Sequence, residues 1–150
     1  MSNLNPPSLR EQRLASVGRR VAELIRQTLP LGVECHLLLE VPHIQSEWRA
    51  TLEIDEPRGD HNIRHHKKAI AAVSEFAQVA AEHGIDVKHQ LLGGCHNLST
   101  RPVDDLFSIT LSYLRQHGVS DLTLAPLERL MQDALATPEG LPASVPPRTR

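Results

Sequence analysis

Aromatic side chains are scarce in this chain, since Phe, Trp and Tyr together make up 3% of its 150 residues. Proteins that hold single-stranded nucleic acid stack its bases on exposed rings, and the scarcity argues against that class. The net charge of −2 also gives no basic footprint for nucleic acid. We therefore expect no nucleic-acid partner.

Long apolar runs are absent as well. No window approaches the ~20 residues that a membrane span needs, and the start MSNLNPPSLREQR has no apolar core of a signal peptide. Cysteine is limited to Cys35 and Cys95, which are far apart and form no CxxC pair. These absences predict a cytoplasmic protein with reduced thiols and no membrane partner.

What the chain does contain is ordinary for one globular domain. The hydrophobic fraction is 40% and the charged fraction is 23%, values typical of folded proteins. We predict a single α/β domain over residues 8–136, with a disordered lead over 1–7 and a Pro-rich disordered tail over 137–150. Nine histidines are the compositional outlier.

The order helix, glycine, strand occurs three times, in RQTLPLGVECHLLLEV, AAEHGIDVKHQLL and LRQHGVSDLTLA. Strands that alternate with amphipathic helices are typical of βαβ units. The pattern predicts a small, mostly parallel sheet flanked by helices, with strands over 33–41, 85–92 and 121–125. Residues 95–102 are predicted to form a loop.

A further alternation lies between the first strand and the second helix. Trp48, Ala50, Leu52 and Ile54 alternate with polar residues, which is the period of a half-buried strand. Two interpretations stay open for residues 48–54. The segment either pairs back on the first strand as a hairpin through PHIQS or belongs to a long connection.

The phrases GVECHLLLEVP, AAEHGIDVKHQLLGG and LSYLRQHGVSDLTLAP resemble the universal stress protein domain, a HUP-type fold. They look most like the divergent version inside osmosensing potassium-responsive sensor kinases. The resemblance covers about residues 12–127 and implies a parallel sheet. Family members that bind ATP carry a first strand ending in Asp and a Gly-rich phosphate segment after the fourth strand. Here SNLNPPSLR and PLERLMQDAL stand in those places.

The resemblance therefore implies a degenerate domain with no nucleotide site and no bound cofactor. We expect a non-enzymatic regulatory or scaffolding protein of the stress-response type, with no catalytic residues. A sheet that lacks the family's central strand leaves an edge or a face uncovered, and self-association is the usual solution. A homodimer is therefore expected, and the arginines of the first helix offer a surface to a further protein partner.

The histidines support a rival function, a small-ligand or transition-metal-binding protein. His61, His65 and His66 lie in the run DHNIRHHKK, and a spacing of four residues on a helix suits zinc or nickel. Cys95 and His96 are further candidate ligands from the next loop. The alternative interpretation is a solvated basic first turn, in which Lys67 and Lys68 would repel a cation.

Cys95 is also a candidate nucleophile, because it follows a predicted strand, at a place where α/β domains often bind ligands. A reactive thiol needs a neighbouring base. The adjacent His96 is poorly placed for that role, because neighbouring side chains of an extended segment point to opposite faces. No catalytic cysteine is predicted.

Overall fold

The computed structural model describes residues 8–40, 48–57 and 63–138. Four helices are present in this part of the chain: α1 (Leu9–Arg26), α2 (Ile63–Glu82), α3 (Val103–Gln116) and α4 (Asp121–Ala136). The strands are β1 (Glu34–Glu40), β2 (Arg49–Asp55), β3 (His89–Leu92), β4 (Cys95–Leu98) and β5 (Arg101–Pro102). None of the helices described is long and apolar enough to cross a membrane.

Local signals placed the first elements correctly. The Ser8 side chain accepts a hydrogen bond from the backbone N–H of Glu11 at 3.1 Å, so Ser8 caps α1. The strand over 48–54 is present as β2, and it pairs with β1 along the whole length of both strands. The hairpin interpretation of that segment is therefore confirmed, although the connecting residues 41–47 lie outside the described part.

The sheet is antiparallel, so the prediction of a mostly parallel sheet is wrong. The strand order is β1-β2-β4-β3, with β5 beside β2, and all of these pairings are antiparallel. A parallel pair needs a crossover of a dozen residues or more. The helix α2 does join β2 to β3, but β4 lies between those two strands, so they do not form a parallel pair. The prediction of an α/β fold with helices packed on a sheet is correct.

The turn at Gly93-Gly94 explains part of this error. Both glycines have positive φ, +54° and +88°, which is the geometry of a two-residue type I′ turn between antiparallel strands. The chain therefore returns at once beside β3. Residues 95–102, predicted to form a loop, contain β4 and β5 instead.

The predicted strand over 121–125 is also wrong, because these residues begin α4. Ser120 caps the helix by accepting a hydrogen bond from the backbone N–H of Thr123 at 3.3 Å. A strand would place Leu122 and Leu124 on one face. In the helix Leu124 is 1% exposed and Leu122 is 89% exposed, because α4 packs against α1 and α3.

The helices and the sheet share one apolar core. On β2, Ala50, Leu52 and Ile54 are buried, and their cross-strand partners on β1 are Leu39, Leu37 and Cys35. Gly18 of α1 packs on Leu37, which identifies this as the inner face, the one that the helices cover. The opposite, outer face carries the intervening residues, such as His36, Leu38, Glu53 and Asp55.

The termini were predicted to be disordered, and most of them lie outside the described residues. This holds for residues 1–7 and for 139–150. Thr137, where the tail was predicted to begin, is buried, and its hydroxyl accepts a hydrogen bond from the Arg13 guanidinium at 2.8 Å.

The helical assignment of 121–136 predicts unequal effects for two neighbouring leucines. Leu124→Ala should lower the free energy of unfolding by about 2–5 kcal/mol, because it leaves a cavity in the core. Leu122→Ala, the matched control, should change it by no more than about 0.5 kcal/mol. Urea unfolding followed by circular dichroism measures both values. Equal losses would contradict the helix and favour a strand.

Candidate metal site

A cluster of one carboxylate and three imidazoles lies at one end of the inner face. Glu56 directly follows β2, and its backbone N–H donates to the Gly94 carbonyl at 3.0 Å. His96 is the second residue of β4 and lies opposite Ile54 of β2. His66 lies in the first turn of α2, and His89 is the first residue of β3.

The side chains of Glu56 and His96 reach the cluster because of the alternation along β2 and β4. Glu56 continues the spacing of Ala50, Leu52 and Ile54, so its carboxylate is on the inner face. His96 shares that face with Leu98, and both are buried. The helix α2 packs over β4 and brings the His66 ring to 5.6 Å from the His96 ring, centroid to centroid.

The Glu56 carboxylate joins two of the histidines through a single oxygen. Oε2 of Glu56 is 2.6 Å from His96 Nε2 and 2.7 Å from His66 Nδ1. The other nitrogen of His96, Nδ1, is 3.0 Å from His89 Nε2. These contacts form a linear network, His66–Glu56–His96–His89, in which His96 is fully buried and His66 is 41% exposed.

The electrostatics of the network keep Glu56 ionised at neutral pH. Burial alone would raise the pKa of the Glu56 carboxyl, but the hydrogen bonds from His96 and His66 outweigh burial and lower the pKa below 4.5. Burial, and then the neighbouring His96, lower the pKa of His89 below 6.5. At pH 7 the network therefore contains a carboxylate and a neutral His89.

Glu56, His66 and His96 have the donor atoms and the spacing of a metal site. One ligand atom from each residue lies within 4.8 Å of the other two. Zinc binds imidazole nitrogen and carboxylate oxygen at about 2.0–2.2 Å, so its tetrahedral ligands lie about 3.3 Å apart. The two hydrogen-bonded pairs need to open by less than about 1 Å to admit an ion in place of the bridging protons.

The five predicted ligands do not all come together. His66 and His96 belong to the cluster, whereas His61 lies outside the described residues. His65 is on α2, but it is in neither of the two groups of potential metal ligands among the described residues. The predicted separation of Cys95 from His96 by the sheet is also observed, since His96 is buried on the inner face and Cys95 is opposite Asp55 on the outer face.

Cys95 belongs to the second group of potential ligands, with Glu53 and Asp55. Burial, followed by the hydrogen bond and the charge of Asp55, raises the pKa of the Cys95 thiol to about 12. A thiol with that pKa is almost fully protonated at pH 7, and the protonated form is a poor nucleophile. The outer group therefore lacks the electropositive surroundings that activate a cysteine.

Sequence reasoning missed Glu56 and His89. With Glu53 and Asp55, Glu56 has the composition of a solvated strand end, although it continues the alternation of Trp48 to Ile54 by one more inward position. That signal was sufficient to place the carboxylate on the buried face. For His89 the useful signal was weaker, because its position beside His96 depends on the turn at Gly93-Gly94.

Comparisons of the chain with known protein families, with curated proteins and with solved structures found no match. The function is therefore inferred from the geometry of the described residues.

The raised pKa of Cys95 predicts slow alkylation. At equal pH, the thiolate fraction at a pKa of about 12 is roughly 1000-fold lower than at the ordinary value of 9.0. We expect iodoacetamide at pH 7.5 to modify Cys95 far more slowly in the folded protein than in guanidinium-denatured protein. Peptide mass spectrometry follows the site of labelling. Folded-state labelling of Cys95 as fast as in the denatured chain would show that the thiolate is stabilised.

Proposed function

We propose that this protein binds a divalent transition-metal ion, zinc by preference, through Glu56, His66 and His96, and acts without catalysis as a regulatory domain. The observation that supports this most is the single carboxylate oxygen within 2.7 Å of two imidazole nitrogens. Two nitrogen donors and one oxygen donor suit zinc, and they are poor ligands for calcium or magnesium, which prefer oxygen.

The charge and the exposure of the site fit a bound cation. Glu56 supplies one negative charge, and neutral imidazoles supply lone pairs without further charge. Lys67 and Lys68 follow His66 on α2, but both side chains are exposed, so water and salt screen their repulsion. Because His66 is 41% exposed, water or a partner's side chain could reach a bound ion and supply a fourth ligand.

Such an ion would join α2 to the strands β2 and β4, because its ligands come from all three segments. A ligand that binds the folded state and not the unfolded state stabilises the fold by mass action. Zinc binding would therefore stabilise the packing of the first turn of α2 on the sheet. This link between the metal and the position of α2 supports a regulatory role. Nickel shares the preference for imidazole and is the competing ion.

The test is zinc uptake by the untagged protein after removal of metals with a chelator. We expect native mass spectrometry to show one zinc ion per chain, and calorimetry to show a melting temperature that rises with zinc and falls again with EDTA. His66→Ala removes a ligand and should weaken zinc binding by more than roughly 10- to 100-fold, which is the cost of losing a residue that only hydrogen-bonds a metal ligand. His65→Ala, its neighbour outside the donor group, is the matched control.

Two outcomes would contradict the metal proposal. One is a wild-type protein that takes up no zinc or nickel. The other is a His66→Ala variant that binds as tightly as the wild type and the His65→Ala control. His66 is partly exposed, so its removal leaves the core intact and the comparison concerns binding.

We also propose, as a second function, that the protein acts as a scaffold through a homodimer. The outer face of the sheet favours this, because Leu38 is 45% exposed there and no described strand pairs with the free edge of β1. An open edge is a template for pairing with another chain. This function is compatible with metal binding, because the cluster lies on the inner face.

A dimer through this surface should depend on concentration. Light scattering after size exclusion should show a dimer that Leu38→Lys dissociates into monomers. Leu31→Lys is the matched control, since Leu31 is 97% exposed in the turn before β1. A monomer at every concentration, or equal effects of both substitutions, would be evidence against the homodimer.

A further inference from the structure

His89 completes the network on the side away from Glu56. Its Nε2 is 3.0 Å from Nδ1 of His96, and the two ring centroids are 5.2 Å apart with the planes tilted by 33°. His96 has no exposed surface, so water cannot replace this partner without opening the sheet. The contact is therefore the only protein hydrogen bond found for His96 Nδ1 among the described residues.

An imidazole that binds zinc through one nitrogen carries its proton on the other nitrogen. If His96 binds the ion through Nε2, its proton is on Nδ1. That N–H needs an acceptor, because a buried donor without a partner costs about 1–3 kcal/mol. The Nε2 atom of His89 is the acceptor within reach.

We propose that His89 is a positioning residue for the metal site: it accepts the Nδ1 proton of His96 and so holds the Nε2 lone pair of His96 toward the ion. This inference rests on the proposed function, because it assigns a role in the binding of zinc. His89 does not touch the ion. It acts through the tautomer and the ring orientation of His96.

The protons balance in this step. In the metal-free protein with one proton on each ring, His96 Nε2–H would donate to the Glu56 carboxylate, which can only accept, and Nδ1 of His96 would accept from His89 Nε2–H. Zinc would displace the Nε2 proton of His96 through Glu56 to water, His89 would pass its Nε2 proton to Nδ1 of His96, and water would supply a proton to Nδ1 of His89. His66, whose Nδ1 also contacts the carboxylate, would exchange its Nδ1 proton for one on Nε2. Each ring keeps one proton, so the tautomer change itself releases none. Residue His89 is exposed, so it can exchange its proton with water.

The experiment compares three variants with the wild-type protein. His89→Leu removes the acceptor, and we expect its zinc affinity to fall about 10- to 100-fold, the usual cost of losing an outer-shell partner. His89→Gln retains a side-chain acceptor and should recover part of the loss. His83→Leu is the control, because His83 is exposed and bonds Ser112 at the far end of α2. Zinc affinity is measured by competition with a chromogenic chelator.

A spectroscopic measurement separates positioning from general stability. Long-range ¹⁵N–¹H correlation spectra should show His96 protonated on Nδ1 in the zinc-loaded wild-type protein and on Nε2 in the metal-free protein. The tautomer of His89 separates the two roles: a positioning His89 carries its proton on Nδ1 in the zinc-loaded protein, whereas a merely structural His89 keeps its proton on Nε2. Circular dichroism and melting of the metal-free variants establish that each one folds.

The outcomes distinguish this inference from the metal site itself. If the wild-type protein binds no zinc, both proposals are overturned. If it binds zinc, but His89→Leu binds equally tightly, the role of His89 is overturned while the metal site stands. If His96 keeps its proton on Nε2 in the zinc-loaded protein, His96 does not bind the ion through that nitrogen, and both the role of His89 and the proposed set of ligands are overturned.

Discussion

A fully buried imidazole has two ring nitrogens that must both find partners, and His96 finds them in Glu56 and His89. This requirement constrains the register of β2 with β4 and the pairing of β3 with β4. His96 shares the inner face with the Glu56 carboxylate because β2 and β4 pair with Ile54 opposite His96. A shift of one residue in that register would move His96 to the outer face. The turn at Gly93-Gly94 sets the pairing that brings His89 alongside.

Local signals predicted the first three helices, because they depend on neighbouring residues, and they left the first hairpin as one of two interpretations. The Ser8 cap and the apolar stripe of α1 are properties of the segment itself. The strand pairing was predicted wrongly because parallel and antiparallel sheets use the same short apolar strands. At 121–125 a period of two and a helical period both fit the few residues in DLTLA. The tertiary contacts of Leu124 decided between them.

The candidate site was half predictable for a similar reason. Histidine content drew attention to His66 and His96, but their meeting depends on how α2 lies over β4. The carboxylate was overlooked because Glu56 was grouped with its acidic neighbours Glu53 and Asp55. Those neighbours point to the outer face, whereas Glu56 points inward. A pattern based on residue type alone could not separate them, and the strand period could.

The potential metal ligands on the two faces of the β2–β4 pair differ in how readily they lose a proton to an ion. On the outer face, burial, followed by Asp55 and Glu53, raises the pKa of Cys95 to about 12. An ion there would have to displace a tightly held thiol proton before it gained a sulfur ligand. On the inner face, the carboxylate is ionised, and an imidazole can offer one nitrogen to an ion while its other nitrogen keeps a proton. Zinc at neutral pH therefore gains its ligands at lower cost on the inner face. The alternation that separates Asp55 from Glu56, and Cys95 from His96, selects the inner site.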